Sequence, residues 1–226
     1  MELTVLILFI AGGISLMFPS RHCLLKGWLL ALIPFGIFLY FLNLIPTILE
    51  QGAIHFSYPW MQIIGLHLEF TLDGLSLIFA LLITGIGSFI LIYAHEYMKS
   101  YTHNRRFYFY LLIFMGSMLG LVLSSNLILL FIFWELTGIS SFLLIGFKHT
   151  EENVRRAALQ ALLVTVFGGL MMISGFILLG LFSVSFNLQE LIAQYSDTIQ
   201  HGWYLPILIL ILGGAVSQSA QFPFHF

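Results

Sequence analysis

The sequence predicts an all-α polytopic membrane protein with about seven transmembrane helices, and three observations predict it. Hydrophobic residues make up 60% of the 226 positions and charged residues only 8%, where a soluble domain carries about 25% charged. Mean hydropathy is +1.02. The Lys and Arg residues fall in short connections, and the apolar stretches between connections are long enough to cross a hydrocarbon core of about 30 Å as helices. The same composition excludes other classes. Eight scattered Lys and Arg are too few for nucleic-acid binding. Cys23 is the single cysteine, so neither an intrachain disulfide nor a cysteine-based metal site is expected.

The first predicted span is Leu3–Pro19. Met-Glu precedes it, without the basic n-region or small-residue cleavage site of a signal peptide, and the span is expected to be retained. A connection with Arg21, His22 and Lys26 leads to a second span, Gly27–Ile48, which Pro34 is predicted to kink. In the polar stretch Leu49–Leu72, the run Leu66-His67-Leu68-Glu69-Phe70-Thr71-Leu72 alternates strictly. That is strand periodicity, and it predicts a small external β-hairpin on the membrane surface, with Tyr58 and Trp60 at the interface. Asp73 is the expected N-cap of a third span, Gly74–Tyr97. The basic loop Met98–Arg106 follows, with Glu96 expected to pair with Lys99.

The fourth span is Phe107–Leu123, and Ser124-Ser125-Asn126 turns the chain into a fifth, Leu127–Phe147. A polar loop, Lys148–Arg156, precedes the sixth span, Ala157–Phe182. Within Asn187–His201, the residues Leu188, Leu191, Ile192, Tyr195 and Ile199 make one apolar stripe, and Asn187 has Glu190 three residues on. This predicts an N-capped amphipathic helix lying in the interface. The seventh span starts near Trp203, runs toward Ser219 and is broken near Pro223. Residues 1–72 form an expected N-terminal part, two spans and the hairpin; residues 73–226 carry the other five spans.

Charge bias predicts orientation. Arg21 and Lys26 follow the first span, Lys99, Arg105 and Arg106 the third, and Lys148, Arg155 and Arg156 the fifth. The connections after the second, fourth and sixth spans hold no Lys or Arg. By the positive-inside rule the basic connections are cytoplasmic and the N-terminus is outside.

One residue stands against the apolar pattern. Glu135 is the only ionisable side chain in Leu127–Phe147. An ionised carboxylate at bilayer depth costs about 2.5–3.5 kcal/mol on insertion scales. Glu135 is therefore expected to be neutral, paired, or facing water or another helix, either as a hydrogen-bonded core acid or as a proton or cation relay. Thr137, Gly138, Ser140 and Ser141 let helices approach closely and offer hydroxyls. Glu135, Gly138 and Ser141 or Phe142 fall on one helical face. No nucleotide-binding glycine fingerprint, nucleophile elbow or metal-ligand cluster stands in a matching context, so neither a cofactor nor enzymatic chemistry in this chain is expected.

Four stretches carry a resemblance: FMGSMLGLVLSSNLILLFIFWELTGISSFLLIGF at 114–147, LDGLSLIF at 72–79, TVFGGL at 165–170 and SAQFPFHF at 219–226. From about residue 70 onward the chain resembles the antiporter-like subunits shared by Mrp-type multisubunit Na+/H+ antiporters and respiratory complex I, and most of all the large antiporter subunit of the Mrp type. The resemblance implies a plasma-membrane subunit for cation/proton antiport. Its partners would be other membrane subunits and the lipid bilayer, its cargo protons and Na+ or another monovalent cation. The alternative it implies is a proton-translocating membrane subunit of an NADH:quinone oxidoreductase-like assembly, with redox chemistry on partner chains. A third reading is a truncated product that inserts without transporting.

The family's fold is built from inverted repeats of five helices, each with one discontinuous helix. Pro223 matches the break in the seventh helix, and Glu135 matches the fifth-helix glutamate, the proton-relay acid that pairs with a seventh-helix lysine. That lysine opens the pattern K-S-A-Q-x-P; here Gln218 stands in its place. Glutamine hydrogen-bonds but cannot titrate. His225, just after the break, is a further relay candidate. Family members continue through many more spans, so this sequence is expected to hold an incomplete half-channel.

Overall fold

The computed structural model describes residues 1–17, 26–61, 66–98, 101, 104–183, 185–193, 202–222 and 224. In chain order the elements are α1 (Glu2–Met17), α2 (Lys26–Asn43), α3 (Ile45–Gln51), β1 (Ile54–Met61), β2 (Leu66–Leu72), α4 (Gly74–Tyr97), α5 (Asn104–Leu123), α6 (Leu127–Ile145), α7 (Glu152–Ser183), α8 (Leu188–Ala193) and α9 (Tyr204–Gln218). A 3-10 turn, Gly146–Lys148, extends α6. Among the described residues five stretches are long and apolar enough to cross a membrane: Gly27–Gln51, Gly74–Tyr97, Asn104–Leu123, Leu127–Lys148 and Glu152–Ser183. The shorter apolar helices α1 and α9 take the places of the first and seventh predicted spans. With the two-stranded hairpin, this is the polytopic helical class the composition predicts.

Several boundaries differ from the apolar pattern. The second span is two helices, α2 and α3, divided at Leu44. Pro46 sits in the first turn of α3, where its missing N–H goes unused and its fixed φ suits a helix start. Pro34 lies inside α2 without ending it. α7 begins at Glu152, five residues before the predicted start, and runs for 32 residues, about 48 Å at 1.5 Å per residue. Its added turn is polar: Arg156 Nη2 donates to Glu152 Oε1 at 2.6 Å, an i,i+4 pair that supports helix where hydropathy reads loop. The amphipathic stretch is helical over Leu188–Ala193; Tyr195 and Ile199 lie outside the described residues. So do Lys99, Pro223 and the side chain of Trp60.

The chain divides into two compact units, Met1–Phe56 with Phe70–Leu123, and Ser57–Glu69 with Ser124–Phe226. In the first, α1 packs on α5, α2 on α4, and α4 on α5. Glycines allow the close approaches: a Cβ on Gly27 would come within 2.9 Å of the Leu91 carbonyl oxygen and 2.6 Å of His95 Cβ. Asp73 caps α4 as predicted, in a reciprocal capping box: Ser76 N donates to Asp73 Oδ1 at 2.8 Å, and Asp73 N donates to Ser76 Oγ at 2.7 Å. Hydrogen bonding from the Ser76 amide, foremost among several donors, holds the Asp73 carboxyl below the usual carboxylate range despite partial burial. At the hairpin base, Phe70 and Leu72 are buried while Thr71 meets His55 Nδ1 at 3.0 Å. Glu96 stands 4.0 Å from His95 Nε2.

In the second unit α7 packs along both α6 and α9. Leu127, Met172, Phe176 and Leu191 form its buried core, with Trp134 and Ile211 against them. The polar ends are tied together. Asn126 caps α6 by accepting from Ile128 N at 3.0 Å. Leu127 N donates to Phe186 O at 2.9 Å and Leu188 N to Ser125 O at 2.8 Å. Glu69 then joins the connection: its carbonyl accepts from Ser125 N at 2.9 Å, and its Oε2 accepts from Asn187 Nδ2 at 2.7 Å. Asn187 Oδ1 caps α8 by accepting from Gln189 N at 2.9 Å. The predicted return bond from Glu190 is relayed: Ser185 Oγ donates to Glu190 Oε2 at 2.5 Å and accepts from Asn187 N at 3.1 Å. These groups at the helix ends are thus satisfied by one another, without extending a helix.

Candidate functional site

The second unit brings three helices together around the middle of α6. Eight residues separate Glu135 from the start of α6 at Leu127, which sets it about 12 Å into the helix. The α6–α7 face runs in antiparallel register. Glu135 lies against Gly169; a Cβ added to Gly138 would meet Thr165 Oγ1 at 3.6 Å, and one added to Gly146 would meet Ala158 Cβ at 3.4 Å. The face predicted from spacing, Glu135 with Gly138, is therefore the face turned to α7. α9 runs along the other side of α7: Ser217 lies against Gly168, Gly214 against Met172 and the Gly168 carbonyl oxygen, and Ile211 against Gly175.

Hydroxyls in these helices are mostly satisfied within their own helix. Thr165 Oγ1 donates to Ala161 O at 3.0 Å, Ser140 Oγ to Leu136 O at 2.7 Å, and Ser217 Oγ to Gly214 O at 2.7 Å. Self-bonding of this kind lets hydroxyls stand where no water satisfies them. Thr137 goes further. Its Oγ1 donates to Trp134 O at 2.7 Å and accepts from Gln218 Nε2 at 2.9 Å. That bond links α6 to α9 across 81 positions of sequence. Thr137 is 1% exposed and Gln218 is half-buried, so the bond is buried at its acceptor end.

Glu135 is the opposite case. Its Oε1 is buried against Gly169 with no hydrogen-bond partner, and the preceding residue's Trp134 Nε1 is likewise buried and unpartnered. No hydrogen bond joins Glu135 to Gln218 among the described residues; Gln218 is engaged with Thr137 instead. α9 carries no charged residue and α6 none but Glu135. Arg156, the nearest cation along α7, is thirteen residues from Gly169, about 20 Å along the axis. The acid has no ionic partner at its own level on these helices. A buried polar atom left unmatched in this way calls for an explanation, and a group that gains and loses a proton supplies one.

Of the sequence-predicted site residues, Glu135 and Gln218 meet the same three-helix junction, one at Gly169 and one at Thr137. His225 lies outside the described residues. α9 ends at Gln218, and Ala220 takes a left-handed φ of 49°. Gln221 N donates to Val216 O at 3.3 Å across that turn, the long bond of a Schellman-type stop. The helix thus stops directly after Gln218, ahead of the break predicted near Pro223. Sequence reasoning did not single out Gly168 and Gly169 or the tie between Thr137 and Gln218. The signal for the glycines was available, since a Gly-Gly pair in mid-span marks a close approach.

Residues 124–226 match the family model described as NADH:quinone oxidoreductase/Mrp antiporter, TM, and residues 60–108 match that described as NADH-Ubiquinone oxidoreductase (complex I), chain 5 N-terminus. Over 200 residues, 88% of this chain and 25% of the relative, the chain is 46% identical to the Na(+)/H(+) antiporter A1 subunit of Staphylococcus haemolyticus. It is 42% identical over 226 residues, 99% of this chain and 28% of the relative, to the putative antiporter subunit mnhA2 of Staphylococcus aureus. Among solved structures it superposes on a chain of the Mrp complex from Dietzia sp. DQ12-45-1b with TM-score 0.88 at 30% identity, covering 99% of this chain and 24% of that one. The chain spans about a quarter of the length of the curated relatives it matches. It belongs to the family of antiporter-like membrane subunits shared by Mrp-type antiporters and NADH:quinone oxidoreductases.

Proposed function

We propose that this chain is a membrane subunit for cation/proton antiport within a multisubunit Mrp-type assembly, and that Glu135 is its proton-relay acid. The observation that carries the reading is Glu135 itself: a mid-span carboxyl with an unpartnered oxygen, at a junction of three helices, with no cation at its level on those helices. Such a group is costly, and an intramembrane acid marks a proton or ion pathway by default. Gln218 keeps the reach of the family's lysine but holds no charge. Its amide is occupied by Thr137, so it acts as a neutral tie between α6 and α9, and of the two Glu135 is the one that exchanges a proton. His225, seven positions after Gln218 in the sequence, is a further relay group. The cargo is a proton against Na+ or another monovalent cation, and the partners are other membrane subunits of the plasma membrane. The segregation of Lys and Arg supports an N-terminus on the outer side.

One observation favours a second reading, a proton-translocating subunit of a redox assembly: the family model matched over 60–108 is described by complex I. The two differ in what drives the proton. Dye-reported proton movement in inverted vesicles, with the chain co-expressed with its neighbouring subunits, is expected to follow addition of Na+ and not of NADH. Movement driven by NADH and indifferent to Na+ would transfer the chain to the redox class.

A further inference from the structure

Gly168 and Gly169 stand side by side in the middle of α7, and each faces a side chain from a different helix. A Cβ on Gly168 would collide with the Ser217 hydroxyl on α9, and a Cβ on Gly169 would collide with Glu135 Oε1 and come within 2.9 Å of its Cδ. The carboxyl thus occupies the space that any other residue's side chain would fill. Elsewhere on the same face the helices sit at ordinary distance. At Gly138 an added Cβ would meet Thr165 at 3.6 Å, and at Gly146 it would meet Ala158 at 3.4 Å. The approach of α6 to α7 therefore does not itself require glycine at position 169; the carboxyl does. Glycine is unfavourable in a helix interior, so the notch stands against local helix preference.

We infer that Gly169 is a positioning residue for Glu135: its missing side chain makes a notch in α7 that seats the carboxyl against the helix backbone, with Oε1 away from hydrogen-bond donors. A methyl group at 169 would evict the carboxyl and let its oxygen reach a donor. That the seated proton is the transported one rests on the function proposed above; the notch does not, and its test needs no transport.

The readout is the infrared C=O stretch of the protonated acid, recorded at a pH low enough to protonate every carboxyl and assigned as the band lost in Glu135→Gln. A carbonyl without a donor absorbs at higher frequency than a hydrogen-bonded one. Gly169→Ala is expected to shift this band to lower frequency. In Glu135→Asp, whose carboxyl stops one methylene short of the notch, Gly169→Ala is expected to leave the band in place. Gly175→Ala, on the same helix, would press on Ile211 Cγ1 at 2.7 Å and is expected not to move it. An unshifted band in Gly169→Ala, or an equal shift in Gly175→Ala, overturns the inference. If Gly169→Ala lowers membrane abundance, adding Glu135→Asp is expected to restore it, and a failure to restore overturns it too.

Discussion

The Thr137–Gln218 bond can be measured by a double-mutant cycle. Thr137→Val keeps the shape of the side chain and removes the acceptor of Gln218 Nε2, a 2.9 Å bond at a residue 1% exposed. Leaving a buried donor unsatisfied costs about 1–3 kcal/mol. The Trp134 carbonyl that Thr137 also contacts retains its place in the helix ladder, so the main loss is at Gln218. Gln218→Met removes the donor and leaves the Thr137 hydroxyl still bonded to Trp134, a smaller loss of about 0.5–1.5 kcal/mol. The double variant has no orphan, and replacing both partners with apolar groups is nearly neutral. The singles should thus sum to more than the double. Interhelical side-chain hydrogen bonds in membrane proteins average about 0.6 kcal/mol of coupling and reach about 1.7, and the coupling of this half-buried bond is expected within that range. The assay is reversible SDS-driven unfolding of the purified chain in mixed micelles. Additivity to within about 0.3 kcal/mol, the ordinary scatter of independent sites, would refute the tie between α6 and α9.

Other substitutions test the remaining contacts. Gly214→Ala would put a Cβ 2.8 Å from the Gly168 carbonyl oxygen and should cost about 1–3 kcal/mol as overpacking; Gly36→Ala, with nothing within 4 Å, should stabilise by about 0.5–1 kcal/mol in the same assay. Asp73→Ala should cost about 1 kcal/mol as a lost N-cap. Because the Asp73 carboxyl is held below its ordinary value in the folded state, its charged cap contributes above the unfolded value of about 3.9 and is lost as pH falls through the lower folded one. Asp73→Asn should flatten the pH dependence of unfolding below about pH 4 and leave neutral stability nearly unchanged. Asn187→Ala removes both the bond to Glu69 and the α8 cap, and hydrogen exchange over Phe186–Leu191 should accelerate about tenfold or more for a loss of about 1.4 kcal/mol.

What the sequence discloses and what it hides divide by range. The long helices follow from apolar runs, the hairpin from the alternation Leu66–Leu72, and the α4 start from Asp73. Each is a local pattern within about one element. Boundaries failed where local chemistry overrode hydropathy: Pro46 restarts a helix that hydropathy reads as continuous, and Glu152 with Arg156 extends α7 through a polar turn. The site was half legible. Glu135 stands out because a carboxyl in an apolar run is rare, and its sharing a face with Gly138 follows from spacing, though not that this face meets α7. Its seat on Gly169, the Thr137–Gln218 bond and the joining of Glu69 to Asn187 are meetings of residues 34, 81 and 118 positions apart. No periodicity encodes such pairs; the first two arise from the register in which α6, α7 and α9 pack, the third from the way the hairpin meets the cap of α8.

The role of Glu135 is tested most directly by comparing Glu135→Gln with Glu135→Asp for Na+-driven proton movement in inverted vesicles, with the neighbouring subunits present and membrane abundance matched. Glutamine preserves size and polarity but cannot carry a proton; aspartate carries one from a shorter reach. Glu135→Gln is expected to abolish exchange, while Glu135→Asp is expected to retain a reduced rate. Exchange that survives in Glu135→Gln at the rate of the unsubstituted chain would contradict that role.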